Sequence, residues 1–213
     1  MNNGKSKVLY NTDSKPITQK DIEDALVNVG LRKGDIILVH SGVGSFGKLV
    51  VFDRNVLLES LINSLKNIVG KEGTIIMPTF TFSFCKNEAF DVENTKSTVG
   101  ALTEYFRKQP GVSRTLHPNH SVAIWGKHKN ELLNIGKGTF DEDSIFGKLH
   151  KMGGKIVSFG IPSCNARSFV HYIEYKHGVP YRYMKKFRGK LVVKGKEYED
   201  EFTFYYRYFF ILN

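Results

Sequence analysis

The sequence predicts an α/β fold in which a mostly parallel sheet carries helices on both faces, followed by a C-terminal antiparallel hairpin region. Short, continuous apolar runs rich in Ile and Val, such as 35–40 and 74–79, are typical of strands buried on both faces. They alternate with segments in which apolar residues recur every three or four positions, the spacing of one helix face. After Pro180 the pattern becomes extended on both sides of Lys194-Gly195, a short turn that predicts the hairpin.

Caps and breakers along the chain justify each element in turn. Thr18 with Asp21 three residues later predicts a capped first helix, Asp53 caps the second, and Ser97 is the expected cap of the third. Residues 1–13 are expected to be a frayed, basic lead-in. With no repeat and no linker, residues 1–213 are interpreted as a single domain. The predicted order is helix 18–30, strand 35–40, helix 53–70, strand 74–79, helix 97–110, strand 121–125, helix 144–153, strand 155–160, helix 166–177 and the hairpin.

Composition limits the class of protein. A hydrophobic fraction of 41% and a charged fraction of 24% in 213 residues exclude a disordered or fibrous chain. The net charge of +10 indicates an anionic partner, which leaves nucleic acid, a membrane surface and a phosphorylated small molecule open. Two distant cysteines, no leader-like apolar run and no apolar run of spanning length favour a reducing compartment, interpreted as the cytoplasm.

A glycine loop, residues 42–47, follows the first buried strand. It matches the dinucleotide fingerprint and, with Lys48, nearly matches a P-loop. Both nucleotide hypotheses are disfavoured, because no helix follows the glycines directly and Leu49 stands where a P-loop needs Ser or Thr. A loop at the carboxyl end of a parallel strand is nevertheless where open α/β sheets bind ligands, and its N–H groups could hold a phosphate or an oxyanion.

Histidines form two constellations. His117 and His120 precede a strand, and His171 lies three residues before Glu174 on a helix, so that both share one helix face with Ser168 nearby. A carboxylate that binds one imidazole nitrogen makes the other a better base, although a simple surface pair is the alternative. A metal site of His117, His120 and His171 is disfavoured because zinc-motif spacing is absent. Cys164, ahead of the helix, is either a reactive thiol or a packing residue.

Six segments then occur in a specific order: Leu38–Ser41, Gly73–Thr81, Gly100–Glu104, Leu116–Gly126, Ser144–Leu149 and Ser168–Glu174. Taken together, across about residues 20 to 190, they resemble the aminoglycoside 3-N-acetyltransferase family. The resemblance implies an acyl-CoA-dependent N-acyltransferase that uses acetyl-CoA as co-substrate and needs no metal. Its expected partners are coenzyme A and a small-molecule amine, with neither nucleic acid nor membrane, and a homo-oligomer stays open.

The resemblance also implies roles for particular residues. His171 and Glu174 match the base and its orienting carboxylate, and His120 matches an active-site histidine. His40, Ser41 and Ser121 match coenzyme-side contacts, together with the loop that begins at Gly42. Backbone N–H groups of the Ser41-Gly42 loop or the Ser121 hydroxyl are the expected donors to the oxyanion.

This sequence departs from the family in three respects. Gly42-Val43 stands where the family usually has a second serine. The family also usually continues for tens of residues beyond the match, so part of the acceptor pocket is expected to be missing or rebuilt by the aromatic tail. The charge of +10 disfavours a polycationic acceptor and favours a nucleotide-linked or other anionic amino sugar. The competing hypotheses are an inactive relative and a nucleic-acid-binding protein that uses Lys127, Lys129, Lys185, Lys186, Arg188 and Lys190.

Overall fold

Strands and helices alternate along most of the computed structural model, which describes residues 7–163 and 168–208. The strands of this part are β1 (Val8–Asn11), β2 (Pro16–Thr18), β3 (Ile36–Ser41), β4 (Lys48–Leu49), β5 (Thr74–Pro78), β6 (Phe90–Asp91), β7 (Ser113–Arg114), β8 (Val122–Gly126), β9 (Lys155–Phe159), β10 (Arg182–Val193) and β11 (Lys196–Arg207). The helices are α1 (Gln19–Asn28), α2 (Arg54–Val69), α3 (Ala101–Phe106), α4 (Lys129–Leu133), α5 (Ile145–Lys151) and α6 (Ser168–His177). None of these helices is long and apolar enough to cross a bilayer.

The main sheet has the strand order β7-β8-β5-β3-β9. β3 pairs in parallel with β5 and β9, as predicted, whereas β8 runs antiparallel to both β5 and β7. The sheet is therefore mixed, and the prediction of a mostly parallel sheet is corrected. Alternation of strands and helices does not encode direction, and the long segment 79–121 gives the chain room to turn back before it enters β8.

Helices cover both faces of this sheet, which confirms the layered architecture. Successive residues of β3 point to opposite faces. Ile37 and Val39 pack with α1, α2 and α3, while Ile36 and Leu38 pack with α4, α5 and α6. The two cores lie directly against the sheet and fix the positions of the strand ends.

Local capping explains most helix boundaries. The side chains of Thr18, Asp53 and Ser144 accept hydrogen bonds from the first turns of α1, α2 and α5. The third helix is shorter than predicted, because the Ser97 N–H donates to the Glu104 carboxylate (2.8 Å) and the helix begins only at Ala101.

The N-terminal segment is better ordered than predicted. β1 forms a small sheet with β2 and β4, and Leu9 and Tyr10 are fully buried in the first core. The Tyr10 hydroxyl donates to the Val43 carbonyl (2.8 Å), and burial raises the pKa of Tyr10 to about 12. The expectation of a frayed lead-in is therefore wrong for residues 8–11, where three consecutive apolar residues outweigh their basic flanks. Residues 1–6 lie outside the described part.

The C-terminal hairpin is confirmed. β10 and β11 pair from Arg182 with Arg207 to Val193 with Lys196, and Lys194 and Gly195 turn the chain with positive φ angles of 50° and 74°. Positive φ at both central residues is the signature of the type I′ turn, which suits the twist of paired strands. Tyr205 of β11 packs into the second core, so the hairpin is part of the body. The tail residues 209–213 lie outside the described part.

Candidate active site

A cavity of about 430 Å³ opens at the carboxyl ends of β3 and β5. The start of α6 forms a second wall, and β10 and β11 form a third. This is the edge at which open α/β sheets bind ligands. The lining residues are His40, Ser41, Pro78, Phe80, Phe82, Val99, Thr103, His120, Phe140, Ile161, Ser168, His171, Arg182, Phe204 and Tyr205.

The predicted His171/Glu174 pair lies in this wall. His171 Nδ1 is 2.6 Å from Glu174 Oε2, and Tyr181 donates its hydroxyl proton to Glu174 Oε1 (3.0 Å). Burial raises the pKa of Glu174, but the hydrogen bonds from His171 and Tyr181 and the charge of Arg182 outweigh burial and lower it. An ionised carboxylate at 2.6 Å would repel an imidazole lone pair, so Nδ1 carries the proton. Nε2 is then the nitrogen that can accept one.

His120 lies deeper in the cavity, enclosed by aromatic rings. Its ring centroid is 4.4 Å from Phe80, 5.2 Å from Phe82 and Phe140, and 5.1 Å from Phe204. Burial, with smaller contributions from His117 and His171, holds the pKa of His120 well below its ordinary value. His120 is therefore a neutral imidazole, and its Nδ1 has no hydrogen-bond partner among the described residues.

His117 has a structural role next to His120. It is almost completely buried, and its Nδ1 accepts the backbone N–H groups of Asn119 (3.3 Å) and His120 (3.1 Å). Burial lowers the pKa of His117 to about 4. His117 thus orders the turn that presents His120. Residues 7–163 and 168–208 contain no group of three His, Cys, Asp or Glu that could hold a metal ion.

Ser121 lies behind the cavity rather than in its lining. Its hydroxyl donates to the Thr79 carbonyl (2.7 Å) and accepts a hydrogen bond from Arg114 Nε (3.1 Å), and the side chain is fully buried. Arg114 also donates to Thr79 O (2.7 Å) and Thr95 O (2.6 Å), and burial lowers its pKa to about 10. The sequence pattern gave no signal for Arg114, because its partners lie in other strands and loops.

His40 and Ser41, the expected coenzyme contacts, both line the cavity. Burial lowers the pKa of His40, and its Nε2 is buried without a hydrogen-bond partner in the described part. Gly42 contributes differently from the expectation. Its N–H donates to the Phe159 carbonyl (2.9 Å), so it is not a free donor for an oxyanion. A Cβ at Gly42 would lie 2.4 Å from Ile161 Cγ2, which explains why a glycine stands there.

The glycine loop as a whole is a packed turn. Residues 43–46 form a 3-10 turn, and β4, not a helix, follows. The Phe46 ring packs against Tyr10 and Phe159, with centroids 5.5 Å and 4.9 Å away. This packing agrees with the prediction that the loop is neither a dinucleotide-binding fingerprint nor a P-loop.

Sequence reasoning missed two features of the cavity. Arg182, the first residue of β10, lies beside the His171/Glu174 pair. Phe82 has a φ of 56°, an uncommon conformation for a bulky residue, and this conformation turns its ring towards His120. Ser168, predicted to lie near His171, does line the cavity with it. Cys164 lies outside the described residues. Cys85 is half-buried, and burial raises the pKa of its thiol to about 11.

The cations weighed for nucleic-acid binding are partly neutralised. Three of the six form ion pairs with carboxylates: Lys127 with Glu72, Lys186 with Glu201, and Lys190 with Glu197. Lys129 donates to the Gly111 carbonyl, and Lys185 lies over the rings of Phe187 and Tyr206. These contacts do not favour a nucleic-acid interface.

Comparisons with known proteins show the family and the fold of this chain. The sequence model of the aminoglycoside 3-N-acetyltransferase family matches residues 38–207. The SPbeta prophage-derived aminoglycoside N(3′)-acetyltransferase-like protein YokD of Bacillus subtilis is 29% identical, over 92% of this chain and 78% of that protein. Its crystal structure superposes with a TM-score of 0.75 and covers 90% of this chain and 83% of that one. A binary complex of AAC-IIIb with CoASH is 22% identical with a TM-score of 0.73, covering 89% of this chain and 76% of that one, and shares the fold.

We predict that Gly42→Ala destabilises the protein, because the added Cβ would meet Ile161 at 2.4 Å and the Gly160 carbonyl oxygen at 2.9 Å. Overpacking of this kind costs roughly 1–3 kcal/mol. Gly44→Ala is the matched control, since a Cβ there has no heavy atom within 4 Å. Urea unfolding of both variants measures the difference, and equal stabilities would contradict the packing described for the loop.

We further predict that His117 makes the protein sensitive to mild acid. Its pKa is about 4 in the folded state against 6.5 for a histidine exposed to water, so between these values the unfolded chain binds a proton that the folded chain excludes. The unfolding free energy therefore falls as the pH drops through this window, by roughly 3 kcal/mol in total.

Asn in place of His117 keeps an acceptor for the two N–H groups but does not titrate. Urea unfolding at pH 7 and pH 4.5 should therefore show a smaller loss for His117→Asn than for the parent. His128→Asn, at a partly exposed histidine, should retain the parent's pH dependence. A parent-like loss in His117→Asn would be the contrary result.

Proposed function

Since this chain belongs to the aminoglycoside 3-N-acetyltransferase family, we propose that it transfers the acetyl group of acetyl-CoA to an amino group of an amino sugar, with His171 as general base. The observation that carries the proposal is the 2.6 Å contact between His171 and Glu174 in the cavity wall. It leaves one imidazole nitrogen with a free lone pair at the site where an amine would enter.

The chemistry follows from these groups. An amino sugar arrives mainly as an ammonium ion, whose nitrogen has no lone pair with which to attack. The ammonium ion first loses one proton to water, and the free amine that results attacks the thioester carbonyl carbon. As the nitrogen–carbon bond forms, His171 Nε2 takes a second proton from that nitrogen, and Glu174 stabilises the imidazolium that forms. The carbon–sulfur bond then breaks, the acetyl group stays on nitrogen, and the proton passes to the departing thiolate. The His171/Glu174 scheme needs no covalent intermediate on the protein.

We place the acetyl-CoA arm along the end of β3. His40 Nε2 has no hydrogen-bond partner among the described residues, and His40 and Ser41 both belong to the cavity lining, so they can bind the coenzyme. AAC-IIIb, which shares the fold, has been solved with CoASH. The Ser41 and Ser168 hydroxyls are the available donors for the oxyanion. Gly42 and Ser121 support the coenzyme site indirectly. Gly42 allows its loop to pack closely against residues 159–161, and Ser121 links the start of β8 to the end of β5.

His120 acts in this scheme as a neutral group. Burial lowers the pKa of His120 and so favours the neutral imidazole, which can still exchange a hydrogen bond with a bound acceptor sugar. Its aromatic surroundings provide flat apolar surface on which a sugar ring can pack.

The acceptor must fit the charge of the cavity. Among the lining residues that the structure describes, none is Asp or Glu, and Arg182 is the one permanent cation. The comparisons support an aminoglycoside-type acceptor and lend no support to the nucleotide-linked amino sugar expected from net charge. We therefore propose that a single amino group of the acceptor enters the aromatic cavity while the other ammonium groups remain outside in water.

His171→Ala should lower kcat/KM by roughly 10²–10⁴, because it removes the base while leaving the carboxylate in place. The chain offers a matched control in His128/Glu131, a second histidine–carboxylate pair with the same spacing on α4, outside the cavity lining. His128→Ala should retain the parent's rate. Release of the CoA thiol measures both. Parent-like turnover of His171→Ala, or no turnover by the parent with any amino sugar, would refute the assignment.

The sign of the salt effect tests the acceptor's placement. Because the protein carries +10, a polycationic aminoglycoside is repelled, and salt screens that repulsion. At saturating acetyl-CoA, the KM for an aminoglycoside should fall as NaCl is raised, whereas the KM for glucosamine, with its single charge, should change little. A KM that rises with salt would indicate an acidic acceptor pocket and contradict the placement.

A further inference from the structure

A second charged group lies beside the histidine–carboxylate pair. Arg182 begins β10, and its side chain is 13% exposed. Its Nε is 2.8 Å from Glu174 Oε2, an ion-pair contact in which Nε makes no hydrogen bond within the described residues, and its Nη2 is 3.1 Å from His171 Nδ1. The guanidinium also lies 5.5 Å from the centre of the Tyr205 ring, and Nη1 donates to the Tyr205 carbonyl (3.4 Å). Contacts from two sides therefore hold the cation against the pair.

Arg182 and Glu174 compete for the same imidazole nitrogen. Arginine has only donors, so it can form a hydrogen bond with Nδ1 only when that nitrogen is unprotonated. The carboxylate at 2.6 Å requires Nδ1–H, as argued above. The 3.1 Å contact between Arg182 and His171 is therefore an electrostatic contact between a fixed cation and the ring.

This contact matters because a carboxylate alone has two opposing effects on a histidine base. It orients the ring, but it also favours the protonated ring, and a histidine that already holds a proton cannot take one from an amine. Arg182 compensates the charge of Glu174 and at the same time disfavours a positive charge on His171. The orientation is retained and the lone pair stays free.

The other groups that face His171 are uncharged. The Tyr181 hydroxyl donates to the Glu174 carboxylate, and the Tyr205 hydroxyl donates to the backbone carbonyl of Glu174 (3.4 Å). The Phe140 ring lies 5.4 Å from the His171 ring, and neutral His120 lies on its far side. Ser168 lies one turn earlier on α6. Within the described residues, Glu174 and Arg182 are thus the two ionised side chains in contact with His171.

We propose that Arg182 is a positioning residue of the acetyl-transfer site, which orients the His171/Glu174 pair and opposes the gain of a positive charge on His171 before the amine arrives. The proposal rests on the function proposed for His171, but it concerns a property of the free protein. It can therefore be tested without any substrate.

The test is the titration midpoint of the His171 ring, followed by NMR in the free protein. Arg182→Gln should raise the midpoint by at least about one pH unit, a tenfold gain in proton affinity. Arg182→Lys keeps the charge but not the planar contact and should give a smaller rise. Lys185→Gln is the matched control, since it also removes a cation from β10. The Nζ of Lys185 lies over the rings of Phe187 and Tyr206 rather than beside His171. Its midpoint should stay within about 0.3 units of the parent.

Glu174→Gln provides an independent arm should Arg182→Gln fail to fold. With the carboxylate gone, the charge of Arg182 is uncompensated, so the His171 midpoint should fall below the parent's by at least about one pH unit. In the double variant it should return towards the parent's value. An Arg182→Gln midpoint that is unchanged or lower, or a Glu174→Gln midpoint that is unchanged or higher, would overturn the proposal.

Kinetics separate this proposal from the proposed function. If both hold, the acid limb of the kcat/KM profile with acetyl-CoA moves to higher pH in Arg182→Gln together with the NMR midpoint, and Arg182→Lys restores part of the shift. Midpoints that move as expected in a protein without turnover would refute acetyl transfer and leave the electrostatic role of Arg182 intact.

Discussion

The reversed direction of β8 is the constraint on which the cavity depends. Val122, the first residue of β8, pairs with Pro78, the last residue of β5, so residues 117–121 arrive at the edge where β3 and β5 end. A parallel β8 of the same length would place them at the opposite edge, roughly 17 Å away. His120 could then share no cavity with His40 and His171. The site therefore depends on strand direction as much as on strand order.

Two half-buried arginines secure this arrangement in different ways. Arg114 donates to neutral oxygens of three separate segments and ties the start of β8 to the end of β5, which satisfies a half-buried cation without a carboxylate in direct contact. Arg182 faces an ionised carboxylate and shares it with a histidine. The first fixes the edge that carries His120, and the second sets the electrostatics at His171. Arg114 lies behind the cavity, outside its lining, whereas Arg182 lines the cavity that the acceptor would enter.

Features that depend on near neighbours could be predicted from the sequence. The α/β class, the caps at Thr18 and Asp53 and the His171/Glu174 pair follow from spacings of a few residues. The direction of β8 and the partners of Arg114 could not be predicted, because they depend on contacts such as Arg114 with Thr79, 35 residues apart. Arg182 is only 11 residues from His171, yet the turn after α6 that brings it back leaves no periodic signal. The predicted site residues lie near one edge of the sheet, but not all of them are free to contact a ligand: Ser121 lies behind the wall, and the Gly42 N–H donates to the Phe159 carbonyl.

The wall supplied by β11 also has a consequence for how the chain folds. Phe204 and Tyr205 close a cavity whose first lining residue is His40, so its contacts span most of the described sequence. Contacts of such long range form late, because the loop between them must close first. Until β11 pairs, the faces of Phe80, Phe82 and Phe140 remain open to water and to other chains, as in aggregation-prone intermediates. Closing the hairpin thus completes the site and buries its most aggregation-prone surface in the same step. A chaperone that bound this aromatic surface would therefore release the protein only when the site was complete.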